Sequence, residues 1–155
     1  MNKKIIRIIL LISIILLCTV IFYFSHQSAT KSSNTSSGFT DYILELIPLN
    51  KELKLGLQSF LKHSVRKIAH FSLYTLLGIL SISFITTYNL SSLKKILISS
   101  VFGILYGISD EIHQYFIPGR SCEIRDVIID SAGVIFGIII FMLIYHKIRK
   151  KLVIK

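Results

Sequence analysis

Hydrophobic residues in this chain are gathered into long runs divided by short polar stretches, rather than spread as one amphipathic pattern. Four runs, residues 5–24, 68–88, 96–117 and 127–145, are long enough to cross a bilayer, whose hydrocarbon core takes roughly 20 apolar residues at ~1.5 Å rise each. They predict an all-α protein, a four-helix transmembrane bundle forming one unit over 1–155. The first run follows Lys3, Lys4 and Arg7, as the apolar part of a signal peptide would. It is longer than the usual ~7–15 residues and no small-x-small cleavage site follows, so a retained anchor is expected. Bulky Leu17 directly before Cys18 also argues against a lipobox.

The long connection, 25–65, divides in two. Residues 28–38, SATKSSNTSSG, have the Ser/Thr-rich composition of a flexible linker. Beyond them Leu53, Leu57, Phe60, Leu61 and Ser64 recur at helical spacing, with Lys51, Lys54, Gln58 and Lys62 elsewhere on the wheel. This predicts an amphipathic helix with Asn50 as N-cap, lying in the membrane interface or closing the bundle end as a lid. The connection 89–95 is too short for a domain, and no internal repeat is visible.

Composition agrees with a lipid solvent. The chain is 52% hydrophobic with mean hydropathy +0.68, is 17% charged and has no Trp, against ~45–50% apolar and ~25% charged for soluble domains. The net charge of +10 would suggest nucleic acid in a soluble protein, but its placement removes that motive. With the N-terminus cytoplasmic, the inner segments hold Lys3, Lys4, Arg7, Lys94, Lys95 and the basic C-terminal tail, with no acid among them. The other eight bases share the outer side with all eight acids. Both termini are therefore expected in the cytoplasm, and the surplus charge is a topology signal and an anchor to anionic membrane lipids. Cys18 in an apolar run and Cys122 in a polar loop suggest neither a disulfide nor a metal motif.

Ionisable groups inside membrane segments cost ~2.5–3.5 kcal/mol each on insertion scales, so their presence asks for a reason. Here they form stripes. Arg66, His70, Tyr74 and Gly78 are four apart on the second span. Asp110, His113 and Gln114 share a face at the end of the third, with Glu111 and Gly107 on an adjacent one. Asp126, Asp130, Gly133 and Gly137 align at the start of the fourth. All are expected in the outer leaflet, with Asp110 and Glu111 on the order of 10 Å deep. The pairs Gly103/Gly107 and Gly133/Gly137 would let backbones approach and bring the charges together in a polar cavity open to the outer surface, walled by the last three spans and touched by Ser25 and Gln27 of the first.

The bland reading is that these residues only knit the bundle, Arg66 pairing with Asp110 or Glu111, and Arg120 or Arg125 with Asp126 or Asp130. Three chemistries compete with it. Arg66 and Arg120 could clamp a phosphate while His70 or a carboxylate moves a proton, as in a membrane phosphatase or phosphotransferase. Asp110, Glu111, Asp126 and Asp130, with His70, could hold a divalent cation, their oxygens favouring magnesium, calcium or manganese over zinc. The same groups could bind a lipid or glycolipid head group without turning it over, Gln114 and Tyr74 helping to hold it. An HExxH metalloprotease helix is not present, since His113 is two residues from Glu111.

RKIAHFSLYTLLG (66–78), YGISDEIHQYFIPGRSCEIRDVIIDSAGVIFG (106–137) and, more weakly, FSHQS (24–28) resemble the VanZ-like family of small bacterial membrane proteins. The DExHQ-x-x-x-PGR-x5-D-x3-D-x2-G string is long, and the likeness covers nearly the whole chain. The 25–65 connection carries no signature, and Cys122 stands where a small residue such as Gly is commoner. The resemblance implies a multi-pass protein of the bacterial cytoplasmic membrane, associated with low-level resistance to teicoplanin and related lipoglycopeptides. It supplies a phenotype rather than a mechanism. The expectation is a cell-envelope protein whose outer-leaflet polar site binds an amphiphilic head group, with modification of that group left open. An enzyme acting on a lipid-linked envelope precursor and a non-catalytic partner of envelope machinery are the alternatives.

Overall fold

The computed structural model describes residues 2–46 and 50–153, which form five helices: α1 Lys3–Ser25, α2 Ala29–Leu46, α3 Lys51–Thr86, α4 Ser92–Tyr115 and α5 Ile124–Val153. No strand occurs among the described residues. Three starts are fixed by side chains that accept an otherwise orphaned backbone N–H. Asn2 accepts from Lys4 at 3.0 Å, Asn50 from Leu53 at 3.1 Å, and Ser91 from Lys94 at 3.5 Å. The cap expected at Asn50 is therefore present.

Four helices are long and apolar enough to cross a membrane: α1, α4, and the stretches Gly56–Thr86 of α3 and Ile124–Lys150 of α5. Large apolar side chains also cover the outside of the bundle, among them Leu105 at 59% and Leu143 at 67% exposure. A soluble monomer rarely exposes such a contiguous surface, whereas lipid solvates it without cost.

Two expectations for the 25–65 connection are corrected. Residues 29–38 are not a flexible linker but the first half of α2, and the amphipathic segment is not a separate helix but runs unbroken into the second span. Ser and Thr lose only a few tenths of a kcal/mol each in a helix, and α2 recovers that by packing on α3. Thr40 and Leu44 are buried, and Gln58 Nε2 donates to Asp41 Oδ1 at 2.7 Å. At ~1.5 Å per residue the 36 residues of α3 extend ~54 Å, well beyond a ~30 Å hydrocarbon core. The surplus turns form the α2–α3 hairpin beyond the bundle.

The tightest pair is α3 with α5. A Cβ at Gly78 would collide with the Val134 carbonyl, one at Gly137 with the Thr75 carbonyl, and one at Gly133 would lie 2.6 Å from the Phe71 carbonyl. Gly103 of α4 receives the Val134 side chain in the same way, at 2.6 Å. The expected glycine contacts are therefore present, but the principal seam joins α3 to α5 and runs Gly78, Gly133, Gly137. Around it lies the core of Ile14, Leu17, Ile21, Tyr74, Leu77, Ile82, Val134 and Ile138. Polar clamps set α1 against the end of α3 and against α4. Arg7 donates to the Thr87 carbonyl at 2.9 Å and stacks 4.0 Å over the Tyr88 ring, and the Tyr106 hydroxyl donates to the Cys18 carbonyl at 2.6 Å.

Gly137→Ala should lower the thermal midpoint of the purified protein by several degrees, because backbone must move to admit the methyl group. Gly56→Ala, with open space around it, should leave the midpoint unchanged or raise it, since Ala in an exposed helix is favoured by ~0.5–1 kcal/mol. Thermal unfolding followed by circular dichroism measures both.

Candidate functional site

At one end of the bundle the polar stripes of α3, α4 and α5 converge, as the spacing predicts. Asp110, Glu111, Gln114 and Asp130 are each 3% exposed or less, and Ser25 of α1 is fully buried beside them. Their partners fall into three groups.

The first is a chain running from the PGR turn inward. Gly119, at φ 78°, takes the left-handed conformation that L side chains avoid, which reverses the chain after α4. Arg120 then donates to the Gln114 side-chain oxygen at 2.7 Å and to the Phe24 carbonyl at 3.1 Å. Because that oxygen faces the guanidinium, the Gln114 amide nitrogen faces Asp110 and donates to Oδ2 at 3.1 Å. Ser25 donates to the same oxygen at 2.7 Å. Asp110 is thus oriented by two donors on one oxygen, while its Oδ1 accepts no hydrogen bond. Burial, with the nearby Arg66 adding to it, pulls the Arg120 guanidinium down from its ordinary value.

The second is an ion-pair cluster across α3 and α5. Lys67 Nζ lies 2.9 Å from Asp126 Oδ1, and Arg66 3.5 Å from Asp126 Oδ2. Asp126 is also in the first turn of α5, where the helix dipole favours an anion. Arg66 therefore pairs with Asp126, not with Asp110 or Glu111 as the knitting alternative supposed. Arg125 is exposed and forms no ion pair among the described residues. Lys67 carries the shortest contact although the helical stripe did not single it out. Its adjacency to Arg66, facing an acid at the start of the next span, was the available signal.

The third is Asp130 with His70. The imidazole Nδ1 stands 3.7 Å from Asp130 Oδ1, and neither carboxylate oxygen has a hydrogen bond. Tyr74, wholly buried, packs its ring on Gly107 next to the Asp130 side chain. One imidazole nitrogen of His70 and one oxygen each of Asp110 and Asp130 lie within 4.8 Å of one another. Glu111 and Asp126, expected as alternative cation ligands, have other partners. Glu111 Oε2 accepts the Glu123 backbone N–H at 3.0 Å, holding the loop that leads into α5. His113 turns away to stack on Phe22 and meet His26 at 3.2 Å.

Beside these groups is a cavity of about 200 Å³ between α1, α3 and the PGR turn. Ile21, Phe24, Val65 and Leu73 give it apolar walls, and Arg66, His70, Arg120 and Gln27 its polar lining. The expected cavity, walled by the last three helices, is thus corrected: of these only α3 lines it, and of Ser25 and Gln27 only Gln27 does, while Ser25 lies at Asp110.

The architecture defines a helical membrane protein with a buried polar centre at one bundle end and an arginine-lined cavity next to it. The family model described as VanZ/LLP1 matches residues 10–145, and the chain belongs to that family. No curated protein and no solved structure matches it.

Asp126→Asn should destabilise the protein by about 1–2 kcal/mol, because it leaves Lys67 and Arg66 partly buried without their charged partner. Lys67→Met with Asp126→Leu together should cost less than the sum of the single changes. A double-mutant cycle of unfolding midpoints measures the coupling.

Proposed function

We propose that the cavity binds the anionic head group of a membrane amphiphile, and that this binding underlies a role in the cell envelope linked to lipoglycopeptide resistance. The observation that carries the reading is two guanidinium groups, Arg66 and Arg120, on the wall of an otherwise apolar cavity of about 200 Å³. Such a volume is below the ~300–1,000 Å³ of sites that enclose a whole drug-sized ligand. It suits a phosphate-bearing head group whose chain stays in the bilayer along α1 and α3. Arg120 spends its hydrogen bonds on neutral acceptors and its Nε has no partner, so its charge is available to an anion. Guanidinium forks match phosphate oxygens in geometry as well as charge.

In this reading the N- and C-termini are cytoplasmic and the site faces the outside of the cytoplasmic membrane, an orientation that the distribution of Lys and Arg supports. A bound or sequestered anionic amphiphile on that face would alter how a lipoglycopeptide reaches or holds the surface. A second reading, chemical modification of the head group, is favoured by His70, which lines the cavity on one side and faces Asp130 on the other. A general acid or base would need that placement.

Native mass spectrometry of the detergent-solubilised protein with phosphatidic acid should show a saturable adduct. Arg66→Gln and Arg120→Gln should each weaken it about tenfold or more, equivalent to ~1.4 kcal/mol. Unchanged binding in both variants would refute the assignment, and a cleaved product in the wild type alone would favour the catalytic reading. For the orientation, Cys122 is exposed and Cys18 half-buried in the first span. A membrane-impermeant maleimide should label Cys122, and not Cys18, in intact cells.

A further inference from the structure

We infer that His70, Asp110 and Asp130 form a site for a divalent metal ion of the manganese–zinc class, adjoining the head-group cavity, which His70 also lines. Geometry supplies the first argument. Three potential donor atoms from three residues on three different helices lie within 4.8 Å of one another, a spread that one ion at ~2.0–2.4 Å from each can bridge. Hydrogen bonding supplies the second. Asp130 is 1% exposed with neither oxygen accepting a hydrogen bond, and Asp110 is 3% exposed with Oδ1 likewise free. Buried carboxylate oxygens are costly without a partner; Glu111 Oε1 is a further such atom, but of the three acids only Asp110 and Asp130 bring an oxygen together with the His70 imidazole.

Charge supplies the third. Arg66 and Lys67 are held at Asp126, and Arg120 at uncharged acceptors. Among the described residues no Lys or Arg forms an ion pair with Asp110 or Asp130, and the two carboxylates share one imidazole. A cation completes that set. Around it stands the support that metal ligands commonly have, with Ser25 and Gln114 turning Asp110 by its other oxygen. A gap of about 10 Å³ lined by Arg66, Lys67, His70, Asp126 and Asp130 adjoins two of the ligands on the side of the Asp126 ion pairs and is of a size for roughly one water.

The donor set selects the metal. Sequence spacing allowed four carboxylates and hence a hard ion such as magnesium or calcium. One nitrogen among three donors shifts the preference to ions that accept imidazole, with manganese and zinc ahead of magnesium and calcium. Three protein donors also leave coordination positions free for water or a substrate oxygen.

The test is metal uptake by the full-length protein in detergent, stripped with EDTA and titrated with Mn²⁺ while free Mn²⁺ is followed by electron paramagnetic resonance. One Mn²⁺ per chain is expected, displaced by Zn²⁺ and resistant to a large excess of Mg²⁺. Asp130→Asn and His70→Gln should each weaken uptake at least tenfold while eluting as the same monodisperse species as the wild type; Glu45→Gln on α2 should not weaken it. Absence of saturable Mn²⁺ or Zn²⁺ uptake by the wild type would overturn the proposal whatever the variants do. So would undiminished uptake in the two site variants.

Discussion

Everything at the polar end depends on how closely α3 and α5 approach. Helices in lipid gain nothing from excluding water between them, so association rests on backbone proximity and complementary surfaces. Gly78, Gly133 and Gly137 remove the side chains that would hold the two axes apart, and the carbonyls of Phe71, Thr75 and Val134 occupy the space. His70 and Asp130 lie one to two helical turns from that seam. Their separation is therefore set by backbone contact, and the seam also places Lys67 and Arg66 opposite Asp126.

With the distance fixed, the polar end divides its labour. Some of the costly groups satisfy one another: Lys67 and Arg66 hold Asp126, and Glu111 holds the loop before α5. The Arg120–Gln114–Asp110–Ser25 chain ties the PGR turn, α4 and α1 into one frame. Asp130 and one oxygen each of Asp110 and Glu111 are left over, and of these only Asp110 and Asp130 meet the His70 imidazole. A bundle built only for stability has no use for buried carboxylate oxygens without donors, and proteins keep such liabilities where they bind something. That contrast within a single cluster separates framework from site more sharply than the number of charges does.

The spans were legible in the sequence because long apolar runs have few alternatives to a membrane helix, and each of the four membrane-length helices contains or overlaps its predicted run. The polar stripes were legible for the same reason, since spacing of four on a helix fixes which residues share a face. Residues 29–38 were not, because a Ser/Thr-rich composition reports only weak local preference and the packing of α2 on α3 is decided at a distance. Pairing was likewise out of reach: Arg66 could have met any of several acids, and only the α3–α5 seam selects Asp126. The role of Glu111 depends on the backbone of Glu123, which no side-chain pattern reveals.

If Asp130 is kept for binding at some expense to the fold, the decisive quantity is the unfolding midpoint of Asp130→Asn against the wild type, both stripped of metal and in the same detergent. Removing a buried charge that has no hydrogen bond should leave the midpoint equal to the wild type or raise it. A midpoint several degrees lower would mean that Asp130 holds the bundle together and would contradict the account.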